Sequence, residues 1–171
     1  MEETRRAFSE EGRRGRQGVG ELSYEVGRES PKSLEAEKAV LGSMLLSRDA
    51  ISTAIQHLKN ERIFYDERHR KVYRAVLALY DRNESVDLVT LTEELKKKDD
   101  LSKIGGVSYL TALDAFVSTP ANIEHYCTIV VQKGILRQLI EVTSDITAEC
   151  YRQTEDPSTL LDRAEQNIFS I

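Results

Sequence analysis

The most distinctive apolar pattern lies in the last third of the chain. Residues 121–152 contain no proline and a single glycine, Gly134. A helix over this span would be about 48 Å long, more than the ~30 Å diameter of a small domain. Thr119 and Pro120 are typical of a helix start, with Thr119 as N-cap and Pro120 at the first helical position. The sequence therefore predicts one long protruding helix, with Gly134 as its expected bend.

A second, shorter helix is predicted to return along the first. The segment Thr154-Glu155-Asp156-Pro157 would end the long helix, and residues 158–171 would run back antiparallel as a helical hairpin. Apolar residues would face each other across it: Leu136, Leu139, Ile140, Ile146 and Cys150 going out, and Leu160, Leu161, Ala164, Ile168 and Phe169 coming back. Two helices cannot cover such faces from water, so the hairpin requires a second copy or a partner. The expected dimer interface is Leu136, Leu139, Ile140, Ile146, Leu160, Leu161, Ala164 and Ile168.

Residues 31–118 have helical periodicity throughout, and no alternating pattern predicts a strand. Gly42 is expected to allow a close neighbour, and Gly105-Gly106 to form a turn between helices. The expected N-caps are Ser33, Asp49, Asp66 and Asp87. The expected buried residues are Val40, Leu41, Met44 and Leu45; Ile51, Ile55 and Leu58; Val72, Tyr73, Val76, Leu77 and Tyr80; Leu88, Leu91 and Leu95; and Val107, Leu110, Leu113 and Val117.

The predicted fold is therefore all-α, with a compact multi-helix head followed by a protruding antiparallel hairpin. We assign residues 31–120 to the head and 121–171 to the hairpin. Residues 1–30 contain five glycines and little apolar periodicity, which predicts a disordered tail. Six arginines in that tail are set against seven glutamates, so a solvated segment is favoured over a nucleic-acid-binding arm.

Composition and charge agree with a cytoplasmic, surface-rich helical protein. Apolar residues make up 40% of the chain and charged residues 31%, and the net charge of -5 gives no general attraction to phosphate backbones. Cys127 and Cys150 would lie on the same long helix and are expected to stay reduced. No apolar run is long enough to cross a membrane, and no signal peptide is visible.

A search for chemical motifs predicts no catalytic, cofactor or metal site. The chain lacks the G-x-x-x-x-G-K-[ST] phosphate-binding motif. His57, His69 and His125 have no zinc-ligand spacing and are interpreted as surface or cap-proximal residues. Three further groups have structural explanations. The cations at a helix C-terminus are Lys96, Lys97 and Lys98, and the aromatic residues of the core or its rim are Phe64, Tyr65, Tyr73 and Tyr80. The acidic pairs at 93–94 and 99–100 are interpreted as solvated faces.

Several segments resemble the start of the bacterial replicative DNA helicases of the DnaB family. They occur in that family's order and cover roughly residues 31–171. The segments are 33–46 (SLEAEKAVLGSMLL), 64–70 (FYDERHR), 86–91 (VDLVTL), 104–110 (IGGVSYL), 121–123 (ANI), 136–140 (LRQLI) and 161–166 (LDRAEQ).

The resemblance implies a non-catalytic N-terminal domain whose hairpins pair and whose pairs form a collar, a trimer of dimers, on a hexameric ring. It implies docking of primase, on an unknown face, and admits a helicase loader as a further partner. In that family an ATP- and Mg-dependent motor that moves on single-stranded DNA follows this domain, and the present sequence stops before it. The fragment itself is expected to have neither cofactor nor ATPase or unwinding activity.

Two other classes remain open. A stand-alone helical nucleic-acid-binding or interaction module would use the tail and the lysines at 96–98, and its DNA binding would fall steeply with salt. The acidic net charge of -5 argues against it. A small cofactor-free enzyme would need a buried titratable pair in a cleft, and no spacing indicates one.

Overall fold

The computed structural model describes residues 29–171, and within this range every regular element is helical. The all-α prediction is confirmed. The helices are α1 Leu34–Leu46, α2 Arg48–His57, α3 Glu67–Asp81, α4 Leu88–Lys97, α5 Leu101–Ile104, α6 Gly106–Asp114, α7 Ile123–Arg152 and α8 Pro157–Phe169. A 3-10 turn, Glu61–Ile63, connects α2 to α3. The predicted disordered tail lies outside the described residues, except for Glu29 and Ser30.

Side-chain caps explain where most helices of the head begin. Ser33, Asp66 and Asp87 are N-caps, as predicted, and Asp87 forms a reciprocal capping box with Thr90. The prediction for α2 is wrong by two residues, because Ser47 rather than Asp49 caps it. Ser47 has an extended backbone, and its hydroxyl accepts a hydrogen bond from the backbone N–H of Asp49 at 3.2 Å.

The predicted start of α7 is also wrong. The hydroxyl of Thr119 accepts a hydrogen bond from the Ala121 N–H at 3.3 Å, but it caps a turn rather than the helix. The N–H of Ile123 bonds to the carbonyl of Pro120, three residues back, and the four-residue helical spacing begins only with Tyr126 and Asn122. Asn122 is therefore the N-cap of α7, and its side chain makes no capping hydrogen bond.

The core of the head is built around α1. Val40, Leu41 and Met44 are fully buried, as predicted, and α1 packs against α2, α3, α6 and α7. Gly42 does allow a close neighbour, because a Cβ at this position would lie 2.6 Å from the carbonyl oxygen of Leu113 on α6. Two predicted core residues, Ile55 and Val107, are exposed. Their helices bury other faces, so periodicity alone placed them wrongly.

The first half of α7 belongs to the head. Its buried residues are Ile123, Cys127, Val130 and Gly134, about three turns of one helical face. The predicted division at residue 120 is therefore too early, because the head needs this stripe to complete its core. Beyond Gly134 no residue of α7 is buried, so only the second half of the helix projects. The helix itself is continuous over 30 residues and is not interrupted at Gly134.

The hairpin closes through a short turn. Gln153 adopts a left-handed conformation with φ of 53° and ends α7, and Asp156 caps α8 by accepting the Ser158 N–H at 3.1 Å. The returning α8 runs antiparallel to α7, and the Lys59 ammonium of the head donates to the Ile171 carbonyl at 3.3 Å. None of the helices within residues 29–171 is both long and apolar enough to span a membrane.

Candidate protein-interaction surface on the hairpin

The structure brings half of the predicted interface residues together in one cleft. Ile146 on α7 and Leu160, Leu161 and Ala164 on α8 line an open cavity of about 610 Å³ between the two helices, together with Cys150. Leu161 is 68% exposed at this cleft. The cleft is an apolar surface that the hairpin does not fill by itself.

The other predicted interface residues lie outside this cleft. Leu136, Leu139 and Ile140 are exposed on the projecting half of α7, and Ile168 is exposed near the end of α8. They add exposed apolar area to the part of the hairpin between the cleft and the head. Because α8 contains no buried residue, each of its apolar side chains is at least partly exposed to solvent.

Charged side chains border the cleft. Arg163 on α8 forms ion pairs with Glu149 of α7 and, at 3.0 Å, with Glu155 of the turn. The hydrogen bonds to Glu155 and Glu149 raise the pKa of the Arg163 guanidinium. These pairs connect α8 to α7 and to the turn, and they place polar groups beside the apolar residues of the cleft, a common arrangement at protein interfaces.

Sequence reasoning left out two exposed apolar residues of α7. Ile135 is 38% exposed and Tyr151 is 84% exposed, and the predicted interface contains neither. Ile135 precedes the predicted Leu136, and its spacing of four residues from Leu139 was the available signal. Tyr151 lies next to the C-terminus of α7, where no periodic pattern continues beyond it.

A buried polar network contains His69. Of the two predicted positions, surface or cap-proximal, the second is right, because His69 lies three residues after the N-cap Asp66. The side chain is fully buried, however, and its Nδ1 lies 2.5 Å from Oε2 of Glu37. Its Nε2 lies 2.7 Å from the hydroxyl of Tyr109. Glu37 also accepts the backbone N–H groups of Tyr65 and Asp66, at 2.6 and 3.2 Å.

The network joins α1, α3 and α6 across the core of the head. Burial raises the pKa of Tyr109 above its usual value, which favours the neutral hydroxyl in the network. Glu37 and His69 are closed to solvent, so a substrate cannot reach them, and their role is to satisfy one another inside the core. The other two histidines, His57 and His125, are exposed, as predicted.

Several charged residues of the remaining clusters form ion pairs within the head. Lys96 binds Glu93 at 2.8 Å and Lys98 binds Glu94 at 3.0 Å, which agrees with their interpretation as helix-end cations. Glu94 corrects the prediction of a solvated face, because it is buried and also binds Arg82 at 2.7 Å. Among the described residues, no group of histidine, cysteine or acidic side chains is arranged to hold a metal ion.

Comparison with known proteins gives a consistent result. The sequence profile of the family described as "DnaB-like helicase N terminal domain" matches residues 29–132. The replicative DNA helicase DnaC of Bacillus subtilis (strain 168) is 43% identical over 141 residues, which cover 82% of this chain. The chain spans only 31% of the length of that relative and 17% of the replicative DNA helicase DnaB of Rhodothermus marinus.

Solved structures share the fold. The crystal structure of the N-terminal domain of DnaB helicase from Mycobacterium tuberculosis superposes with a TM-score of 0.80 at 39% identity, over 84% of this chain and 100% of that one. A DnaB-like replicative helicase, described together with its interactions with primase, superposes with a TM-score of 0.66 at 24% identity, over 81% of this chain and 31% of that one. On the sequence match and the shared helical fold, the chain belongs to the DnaB-like helicase N-terminal domain family.

Proposed function

We propose that this chain is the non-catalytic assembly domain of a replicative DNA helicase and that it dimerises through its hairpin. The main support for this proposal is the exposed apolar area of the hairpin. It comprises the cleft between α7 and α8 and the exposed residues Leu136, Leu139, Ile140 and Ile168. Exposed apolar residues close to charged groups are a common sign of a protein interface.

The weak packing of α8 supports a partner on this surface. α8 has 13 residues and buries none of them in the described chain. A helix this short is marginal in water, and most helical stability in proteins comes from packing of an apolar face. A second hairpin that packs on Leu161 and Ile168 would supply the missing contacts. A two-fold axis would place the same residues on both sides of the interface.

Membership of the family supports a proposal for the wider functions of a longer chain. In a longer chain, three such dimers would form a collar on a hexameric ring. An ATP- and Mg-dependent motor that follows this domain would move on single-stranded DNA and unwind the duplex. Primase is the expected docking partner, since a helicase of the same fold was described together with its interactions with primase. A helicase loader is a further candidate partner.

Sedimentation equilibrium tests the dimer directly. Leu161→Asp places a charge in the proposed interface, and dimerisation should be lost because burying an unpaired carboxylate costs several kcal/mol. Leu161 is 68% exposed, so the monomer should keep its fold. Val89→Asp is the matched control, because Val89 is 73% exposed on the head and receives the same substitution far from the hairpin.

The measurement can support or contradict the hairpin dimer. Loss of the dimer in Leu161→Asp, with a normal dimer in Val89→Asp and normal helix content in both, supports the proposal. A Leu161→Asp chain that dimerises as tightly as the wild type would contradict it, as would a wild-type chain that stays monomeric at millimolar concentration. Titration with the helicase-binding domain of primase tests docking separately, and absence of binding to folded protein would count against that part alone.

A further inference from the structure

The point where α7 leaves the head is unusually tightly packed. Gly134 is the last buried residue of α7, and a Cβ there would lie 2.3 Å from Cδ1 and 2.8 Å from Cγ1 of Ile63. The helix backbone therefore lies directly against the 3-10 turn that ends at Ile63. Glycine removes the side chain that would otherwise hold the two segments apart.

One helical turn further along, Arg137 binds two separate segments of the head. Its guanidinium donates to the carbonyl of Pro31, at 2.7 Å, and to the carbonyl of Ile63. Pro31 precedes α1 and Ile63 ends the 3-10 turn, so one side chain of α7 connects both to the base of the hairpin. The guanidinium also lies 5.7 Å from the centre of the Tyr65 ring.

These contacts are made where solvent is partly excluded. Burial lowers the pKa of the Arg137 guanidinium below its usual value, although the group remains charged at neutral pH. Two backbone carbonyls and an aromatic face replace its water shell, and charge-assisted hydrogen bonds are stronger than neutral ones. Sequence periodicity gave no indication of this role, because Arg137 is one charged residue among many on a mostly exposed helix.

We propose that Gly134 and Arg137 form a rigid joint that sets the direction of the hairpin relative to the head, and thereby the relative orientation of two heads in a dimer. The relative orientation of two heads rests on the proposed hairpin dimer, whereas the joint itself lies within one chain. Arg137 is a positioning residue, since it lies outside the apolar cleft and acts through the orientation of α7.

A small change at the joint has a large effect at the tip. Arg152 lies 15 residues beyond Arg137, which is about 22 Å along the helix axis. A rotation of ~10° at the joint would move the tip by ~4 Å. A shift of that size is comparable to the whole ~4.0–4.5 Å contact distance between packed side chains.

The test measures distances by pulsed electron resonance on spin-labelled chains. One label is attached at Arg74→Cys on α3 and one at Arg152→Cys at the hairpin tip, in a Cys150→Ser background. Arg74 and Arg152 are exposed, and Cys127 is left in place because it is fully buried. Labelled chains are diluted into unlabelled protein, so only the distance within one chain contributes.

The wild type should give one narrow head-to-tip distance. Arg137→Ala should broaden it and shift its mean on the order of 4 Å, the displacement worked out above. Arg137→Lys should give an intermediate result, because an ammonium cannot present the planar fork that reaches two carbonyls at once. Lys133→Ala is the matched control, since it removes the same charge one turn earlier on α7, whereas the hydrogen bonds to the carbonyls of Pro31 and Ile63 come from Arg137.

A second measurement uses the head label alone, in undiluted dimers. Arg137→Ala should leave the dimer population unchanged and broaden the head-to-head distance. Distances in Arg137→Ala and Arg137→Lys that match the wild type would overturn the joint. Should Arg137→Ala fail to fold, Arg137→Lys decides the question. A wild-type chain that does not dimerise would refute the proposed function, while the distance within one chain would still support or overturn the joint.

Discussion

Gly134→Ala is the most informative single change in this molecule. In an exposed helix interior the substitution stabilises a protein by ~1 kcal/mol, because alanine has the higher helix propensity. Here the new methyl group would lie 2.3 Å from Cδ1 and 2.8 Å from Cγ1 of Ile63, and 3.3 Å from its carbonyl oxygen. Ordinary carbon contacts are ~3.5–4.0 Å, so the two segments must move apart.

The expected magnitude follows from these opposing effects. Rotation about χ2 of Ile63 could remove the Cδ1 contact, but Cγ1 moves only if χ1 changes, which a β-branched side chain resists, and the carbonyl oxygen moves only with the turn. Overpacking of this kind costs ~1–3 kcal/mol. Set against the gain of ~1 kcal/mol in helix propensity, Gly134→Ala should lower the free energy of unfolding by ~0–2 kcal/mol.

A double-mutant cycle measured by urea unfolding isolates the clash. Ile63→Val removes Cδ1 and alone should cost ~0.5–1.5 kcal/mol. In that background Gly134→Ala should be less harmful than in the wild type. The double variant should therefore lose about 1 kcal/mol less stability than the sum of the losses in the two single variants. Spectroscopic helix content and an unchanged urea m-value confirm that the same folded state is compared.

Two results would contradict a close contact between Gly134 and Ile63. One is that Gly134→Ala alone stabilises the chain by the full helix-propensity gain. The other is that the effects of Gly134→Ala and Ile63→Val simply add, because independent sites do not couple. Either outcome would mean that the contact between α7 and the 3-10 turn is loose enough to accept a methyl group.

Two further predictions concern titration and thiol chemistry. Hydrogen bonds from Arg82 and then Lys98 hold the pKa of Glu94 below its usual value of 4.5, so its stabilising effect is present above that pH and is lost as the pH falls through the folded-state pKa. Glu94→Gln should therefore lower the free energy of unfolding by on the order of 1 kcal/mol at pH 7, and the difference from the wild type should shrink as the pH falls through the folded-state pKa; a difference that stays the same at every acidic pH at which the chain folds would contradict the pairing. Burial raises the pKa of Cys127 to about 12, whereas Cys150 is exposed, so a thiol reagent at pH 8 should modify Cys150 quickly and Cys127 only after unfolding. Rapid modification of both thiols in folded protein would show that the core around α7 opens.

Local signals in the sequence were sufficient for most of the helices and their ends. Asp66 and Asp87 cap helices because each carboxylate needs only the backbone N–H groups two or three residues ahead. Gly105 and Gly106 both have positive φ, a conformation that favours glycine and that ends one helix before the next. Such features depend on residues within one or two turns, so they can be read without knowledge of the fold.

Contacts between distant segments could not be read in this way. Glu37 and His69 are 32 residues apart, and only the packing of α1 on α3 gives this cap-proximal histidine a buried partner. The division of α7 into a buried and a projecting half likewise depends on where Ile63 meets Gly134, since the apolar pattern of the helix continues past that point. The family resemblance supplied the expected pairing of hairpins, but the cleft and the joint at Arg137 arise only once the helices have packed. Sequence by itself determined the helices, because their signals are local; tertiary structure decided which of their faces are buried, because burial depends on neighbours far along the chain.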